Sequence, residues 1–175
     1  EKARKKSEKN PYEDLAIAEL EGHTVGKDEE KTDAVTIIKK LGKDDAIYGL
    51  GDKPGCLNKR GYSYVNWNTD DPAPHVDSFK SLYKSIPFFI VLGDEYCYGI
   101  FADNTYKTTF DFGYENTDYY FVEHEKGELD YYFMPGNDMA EVVGLYTSLT
   151  GTTPLYQRWI YGSHQSRWGY YTQDE

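Results

Sequence analysis

The sequence predicts a mainly β protein, an antiparallel β-sandwich followed by a helix, from the spacing of its apolar segments, its turn residues and its alternation. Short segments of alternating apolar and polar residues recur about every ten residues from Val35 onward, a spacing that favours a sandwich over βαβ units. Gly42-Lys43-Asp44-Asp45, Asp52-Lys53-Pro54-Gly55 and Gly93-Asp94 lie between such segments and are turn formers. The stretch DYYFVEHEKGELDYYFM alternates aromatic and charged positions, as a sheet with one wet face does.

Taken in order, residues 1–33 are charged and weakly periodic, and Leu15, Ile17 and Leu20 could anchor a short helix or a strand. From Ala34 the period becomes two. VTIIKKL and AIYGLG read as successive strands, followed by strands at Gly61–Trp67, Ile86–Leu92, Glu95–Ala102, Tyr106–Phe112, Asp118–Glu123 and Glu128–Phe133. Gly93-Asp94 and Glu125-Lys126-Gly127 are connections of hairpin length. Pro135-Gly136-Asn137-Asp138 is expected to end the sheet, with Asn137 or Asp138 capping a helix over 138–150. Met139, Val142, Val143, Leu145, Tyr146 and Leu149 hold helical spacing, and Gly151 closes the helix. Beyond Pro154, Trp159–Tyr161 opens an apolar run into GSHQSRWGYY, expected as a strand without a partner in the residues that follow. Residues 1–153 therefore read as one domain and 154–175 as the start of another, in a chain expected to continue.

Composition narrows the function classes. Thirty acidic residues against 19 Lys and Arg give a net charge of -11, which repels phosphate backbones and argues against a nucleic-acid partner. The basic cluster Lys2–Lys9 is interrupted by Glu8 and reads as a solvated end. No stretch reaches the ~18 apolar residues of a membrane span, and no signal peptide is visible. Cys56 and Cys97 fall in no metal or redox spacing, and Cys97 reads as a buried thiol. A cytoplasmic protein is expected. Aromatic residues make up 17% of the chain, which suits either sugar-facing surfaces or ordinary β-sheet packing.

Motifs then narrow the family. Tyr48-Gly49-Leu50-Gly51-Asp52-Lys53 resembles the YGLGE signature of glycoside hydrolase family 31. Arg60-Gly61, Trp67-Asn68-Thr69-Asp70 and Leu82-Tyr83-Lys84-Ser85-Ile86-Pro87-Phe88 resemble that family's aspartate-bearing loop and the LYxSIPFF strand after it. The helix ending at Thr150-Gly151 and Gln165-Ser166-Arg167-Trp168-Gly169-Tyr170 resemble its linking segment and the QxRWxY motif on the first barrel strand. One departure is Asp52, where many members have Glu; the carboxylate there suits the turn. The resemblance implies a galactose mutarotase-like supersandwich followed by the truncated start of a (β/α)8 barrel. It implies a retaining α-glucosidase whose two carboxylates stand about 5–5.5 Å apart, on later barrel strands, so that no residue of this chain is catalytic. The partners implied are an α-glucoside oligosaccharide and the rest of the chain's own barrel, no metal or organic cofactor is implied, and the loop WNTDDPAPHVD resembles those of bacterial members. Exposed sandwich edges could also pair with another copy to give a homo-oligomer.

The resemblance places Asp70 at the sugar, accepting hydrogen bonds from its hydroxyls; by residue chemistry alone Asp70 is a turn residue. Trp168 is either a platform beside the sugar or a core residue between barrel and sandwich. Trp67 either stacks on a more distal sugar unit or packs under the loop. Gln165 and Arg167 read as structural, and His75 as a solvated loop histidine. Two other readings remain in view: a carbohydrate-binding sandwich without catalysis, and a member acting on α-xylosides. Mutarotase chemistry would need His124 and a glutamate on one sheet face, but its sequence neighbours Glu123 and Glu125 point the other way.

Overall fold

The computed structural model describes residues 34–71, 74–165, 169 and 172. Eight strands are formed: β1 Val35–Lys40, β2 Ala46–Gly51, β3 Ser63–Asn66, β4 Ser85–Leu92, β5 Cys97–Ala102, β6 Thr108–Asp111, β7 Tyr119–His124 and β8 Tyr131–Gly136. They make two four-stranded antiparallel sheets, ordered β1-β7-β6-β3 and β2-β4-β5-β8. Alternation fixes which face of each strand turns inward. Ile37, Ile47, Tyr64, Phe89, Val91, Tyr98, Ile100, Phe110, Tyr120 and Val122 project between the sheets and form one apolar core. Phe89 sits at its centre, with Phe110, Phe112 and Tyr120 rings at 5.9, 4.9 and 5.5 Å. Tyr98 and Tyr120 join hydroxyls at 3.1 Å inside the core, so neither buried phenol is left unpaired.

One inward position carries a cation. Lys39 is 5% exposed, its ammonium lying over the rings of Tyr98 and Phe133 at 5.6 and 5.2 Å. Burial brings its pKa down to about 8.

One expectation about a connection is corrected. The Glu125-Lys126-Gly127 turn does not close a hairpin, because β7 lies in the first sheet and β8 in the second. Asn104 holds this crossover instead, donating from Nδ2 to the carbonyls of Lys126 and Glu128. The sheet ends within Pro135-Gly136-Asn137-Asp138 as expected, at Gly136. Pro135 and Gly136 are the last residues of β8, which among the described residues pairs only with β5 and is an edge strand, where a missing N–H is tolerated. True hairpins join β4 to β5 and β6 to β7.

Helix α1, Met139–Thr150, begins as the sequence predicts. The Asp138 carboxylate accepts from the Glu141 amide at 2.8 Å, and the Glu141 carboxylate accepts from the Asn137 amide at 2.9 Å. This reciprocal arrangement satisfies donors the first turn would otherwise leave open. Asp138→Ala is expected to lower stability by about 1 kcal/mol, read as a shift in the urea midpoint. The helix seals the outer face of the second sheet: Val142 is buried with Phe88, Ile90, Cys97 and Met134, and Tyr146 stacks on Phe88 at 4.0 Å. The remaining apolar positions, Met139, Val143, Leu145 and Leu149, stay exposed. The run expected as a strand is a 3-10 helix over Arg158–Tyr161, with Trp159 70% exposed. Ser166, Arg167 and Trp168 lie outside the described residues.

Candidate functional site

β3 ends at Asn66 in the first sheet and β4 starts at Ser85 in the second, so the loop 67–84 bridges the two sheets at one end of the sandwich. Its return half is tied to its outgoing half by backbone bonds. The Val65 amide donates to the Lys80 carbonyl at 2.8 Å and the Thr69 amide to the Leu82 carbonyl at 3.1 Å. Leu82 is 6% exposed and anchors the loop in the core. The hydroxyls of Thr69 and Ser81 lie 3.0 Å apart, and both reach the Trp67 carbonyl.

Asp70 stands on this braced segment with its side chain exposed. Tyr83 lies against it, donating its hydroxyl to the Asp71 carbonyl at 2.7 Å. The Tyr83 phenol is held above its ordinary value, first by desolvation and then by the Asp70 carboxylate beside it. His75 touches the Asp71 carbonyl at 2.8 Å from Nε2 and is exposed, as expected of a loop histidine. Trp67, just outside β3, is 57% exposed. The structure thus brings Asp70 and Trp67 onto one short loop; Trp168 lies outside the described residues. Gln165 is exposed.

Tyr83 and Ser81 went without a role in the sequence reading. The signal was available: polar side chains at the return of a loop otherwise made of Asn, Asp and Pro are candidates to fix its backbone. Arg60 was likewise quoted without a role. Its guanidinium donates to the carbonyls of Gly42, Asp45 and Thr117 at 2.6, 3.2 and 3.3 Å, strapping the 42–45 turn to the segment before β7. Asp52 pairs with Lys84 at 3.3 Å, but both are exposed and the pair adds little stability.

His124 lies inward with no exposed surface, on the opposite strand face from Glu123, so the two do not face a common ligand. Thr108 donates to the Tyr106 carbonyl at 2.9 Å, so its oxygen accepts from His124 Nδ1–H at 2.8 Å. Nε2 then carries a buried lone pair with no partner among the described residues, and protonation there would find no acceptor among them. Desolvation accordingly pushes the imidazole below its ordinary 6.5. A depressed folded pKa means the unfolded chain binds the extra proton, so this contribution is complete above about pH 6.5 and is lost as pH falls. His124→Gln is expected to flatten the fall in Tm between about pH 7 and about pH 5. Asp111, whose carboxyl burial pushes up, acts with the opposite sign, so the measurement is the difference between wild type and variant.

The profile of the glycosyl hydrolase 31 N-terminal galactose mutarotase-like domain matches residues 2–111. The chain belongs to glycoside hydrolase family 31. Among relatives of this family 31 chain, Alpha-glucosidase 2 of Bacillus thermoamyloliquefaciens is 45% identical over 141 residues, 81% of this chain and 18% of that protein. An alpha-glucosidase of Saccharolobus solfataricus is 34% identical over 141 residues, 81% of this chain and 20% of that protein. A family 31 dextranase of Flavobacterium johnsoniae, solved with glucose, superposes with a TM-score of 0.60 and 45% identity over 66% of this chain and 14% of that one. The family 31 chain thus spans about a fifth of the length of the curated alpha-glucosidases it matches. Among its described residues no helix is long and apolar enough to cross a membrane, and no cluster of His, Cys, Asp and Glu could hold a metal.

Proposed function

We propose that residues 1–153 form the sugar-facing sandwich of a retaining α-glucosidase that removes terminal α-linked glucose from small oligosaccharides. In this reading residues 154–175 begin a (β/α)8 barrel, and both catalytic carboxylates belong to that barrel. The observation that carries it is Asp70: an exposed carboxylate on a loop braced to itself and joined to both sheets. A carboxylate held in place accepts two sugar hydroxyls through charge-assisted hydrogen bonds without first losing loop entropy. Trp67, exposed three residues earlier, offers its indole to a neighbouring sugar unit. Trp168 is the candidate for a second aromatic wall. The exposed apolar residues of α1 and the 3-10 helix, including Leu145, Leu149 and Trp159, suit a surface covered by the barrel.

The test is a hydrolysis assay of the longer protein beside this chain, on p-nitrophenyl α-glucoside, p-nitrophenyl α-xyloside and isomaltose. The expected result is glucoside hydrolysis with retention of configuration by the longer protein and none by the chain. Two relatives, 34% and 33% identical over 122 residues, are alpha-xylosidases, so the xyloside is the discriminating control. Preference for the xyloside would replace the glucosidase reading, and turnover by the chain alone would overturn the division of labour.

A further inference from the structure

Where the loop 67–84 leaves and rejoins the sandwich, the apolar core gives way to polar side chains. Inward alternation along β3 runs from Tyr64 to Asn66, and along β6 from Phe110 to Thr108. Asn66, Ser85, Asn104, Thr105, Tyr106 and Thr108 wall a half-open cavity of about 240 Å³ there. Asn66 is 7% exposed, yet among the described residues neither its amide nitrogen nor its oxygen has a partner, and the Ser85 hydroxyl has none either. An apolar residue would fill this inward position at far less cost than an unpaired amide. The Asn66 amide offers two donors and an acceptor, and Ser85 one hydroxyl that does both. Vicinal hydroxyls of a sugar, each donor and acceptor, complement that set. Tyr106, 51% exposed, presents a ring for the C–H face of a pyranose.

Among the described residues no charged side chain lines the cavity, and the groove beside it carries Asp103, Glu128 and Asp130, which repel anions. The volume matches about eight waters at ~30 Å³ each, room for one small ring. We propose that this cavity is a second carbohydrate site, at the foot of the loop and separate from Asp70, taking one neutral pyranose unit. It stands independently of the role given to Asp70.

The test titrates the isotopically labelled chain with methyl α-D-glucoside and follows backbone amide resonances. Saturable shifts at residues 66, 85 and 104–106, with a Kd on the order of millimolar, are expected. Tyr106→Ala, a change at a half-exposed side chain, is expected to weaken binding at least about tenfold with the rest of the spectrum unchanged. Asp70→Ala is expected to leave the Kd unaltered. Asn66→Leu, of similar shape without the unpaired amide, is expected to abolish binding while raising Tm. No saturable shifts, or equal shifts with glycerol, would mean the cavity holds only water or any polyol, and would overturn the site. Loss of the shifts in Asp70→Ala would move the sugar to the loop. A lower Tm in Asn66→Leu would assign the amide to a structural water and overturn the proposal equally.

Discussion

Gly49→Ala is expected to cost about 4 kcal/mol or more, enough to leave the sandwich largely unfolded at physiological temperature. Gly49 has φ 133°, and a Cβ placed there would lie 2.5 Å from the Phe88 carbonyl oxygen and 2.8 Å from the Phe89 Cα. Both are backbone atoms of the paired strand, so no side-chain rotation can relieve the clash; β2 and β4 must separate. The pairing register shifts between Gly49 and Gly51, and the residue between them, Leu50, has φ 70° with its side chain wholly buried. Opening the strands at Gly49 would therefore also release the core side chain that holds this kink. Gly61→Ala is the control: its φ is 82°, but nothing lies within 4 Å of the added carbon, so only backbone strain of about 1 kcal/mol is expected. Urea midpoints of the two variants should differ widely, and equal losses would show that strain, not the approach of β4, sets the requirement for glycine.

Asp70→Ala in the longer enzyme is expected to lower kcat/KM about 30- to 150-fold, the equivalent of roughly 2–3 kcal/mol of transition-state binding. The change should leave the melting temperature where it was, because Asp70 is exposed and the loop's backbone bonds do not pass through its side chain. Asp70→Asn keeps an acceptor but loses the charge, and should fall between wild type and alanine. A catalytic efficiency unchanged in both variants would remove Asp70 from the site.

Most of the strands were legible because their inward positions are apolar and their turns carry Gly, Asp and Pro: AIYGLG is found as Ala46–Gly51 and the strand read at Glu95–Ala102 as Cys97–Ala102. What stayed hidden was pairing. Nothing local tells β1 to choose β7, or β7 and β8 to part into different sheets, since connection length permits a hairpin without requiring one. Pro135 marked the end of the last strand correctly, but whether it could itself be paired depends on how many neighbours β8 has, a tertiary fact. Asp70 was visible only through its motif, because an Asp among Asn, Thr and Asp has the chemistry of any turn. Asn66 left a fainter sign, a polar residue in the inward phase of SYVN, where alternation calls for an apolar one.

The loop 67–84 stands with one foot on each sheet, and this makes it a mechanical gauge of the sandwich. Any sliding of one sheet over the other changes the distance between Asn66 and Ser85, and the Val65–Lys80 and Thr69–Leu82 backbone bonds carry that change into the loop. The stiffness of the Phe89, Phe110 and Tyr120 packing, far from any sugar, therefore sets how steadily the Asp70 carboxylate is held. Loosening that core would register as imprecision at the loop before it registered as loss of the fold.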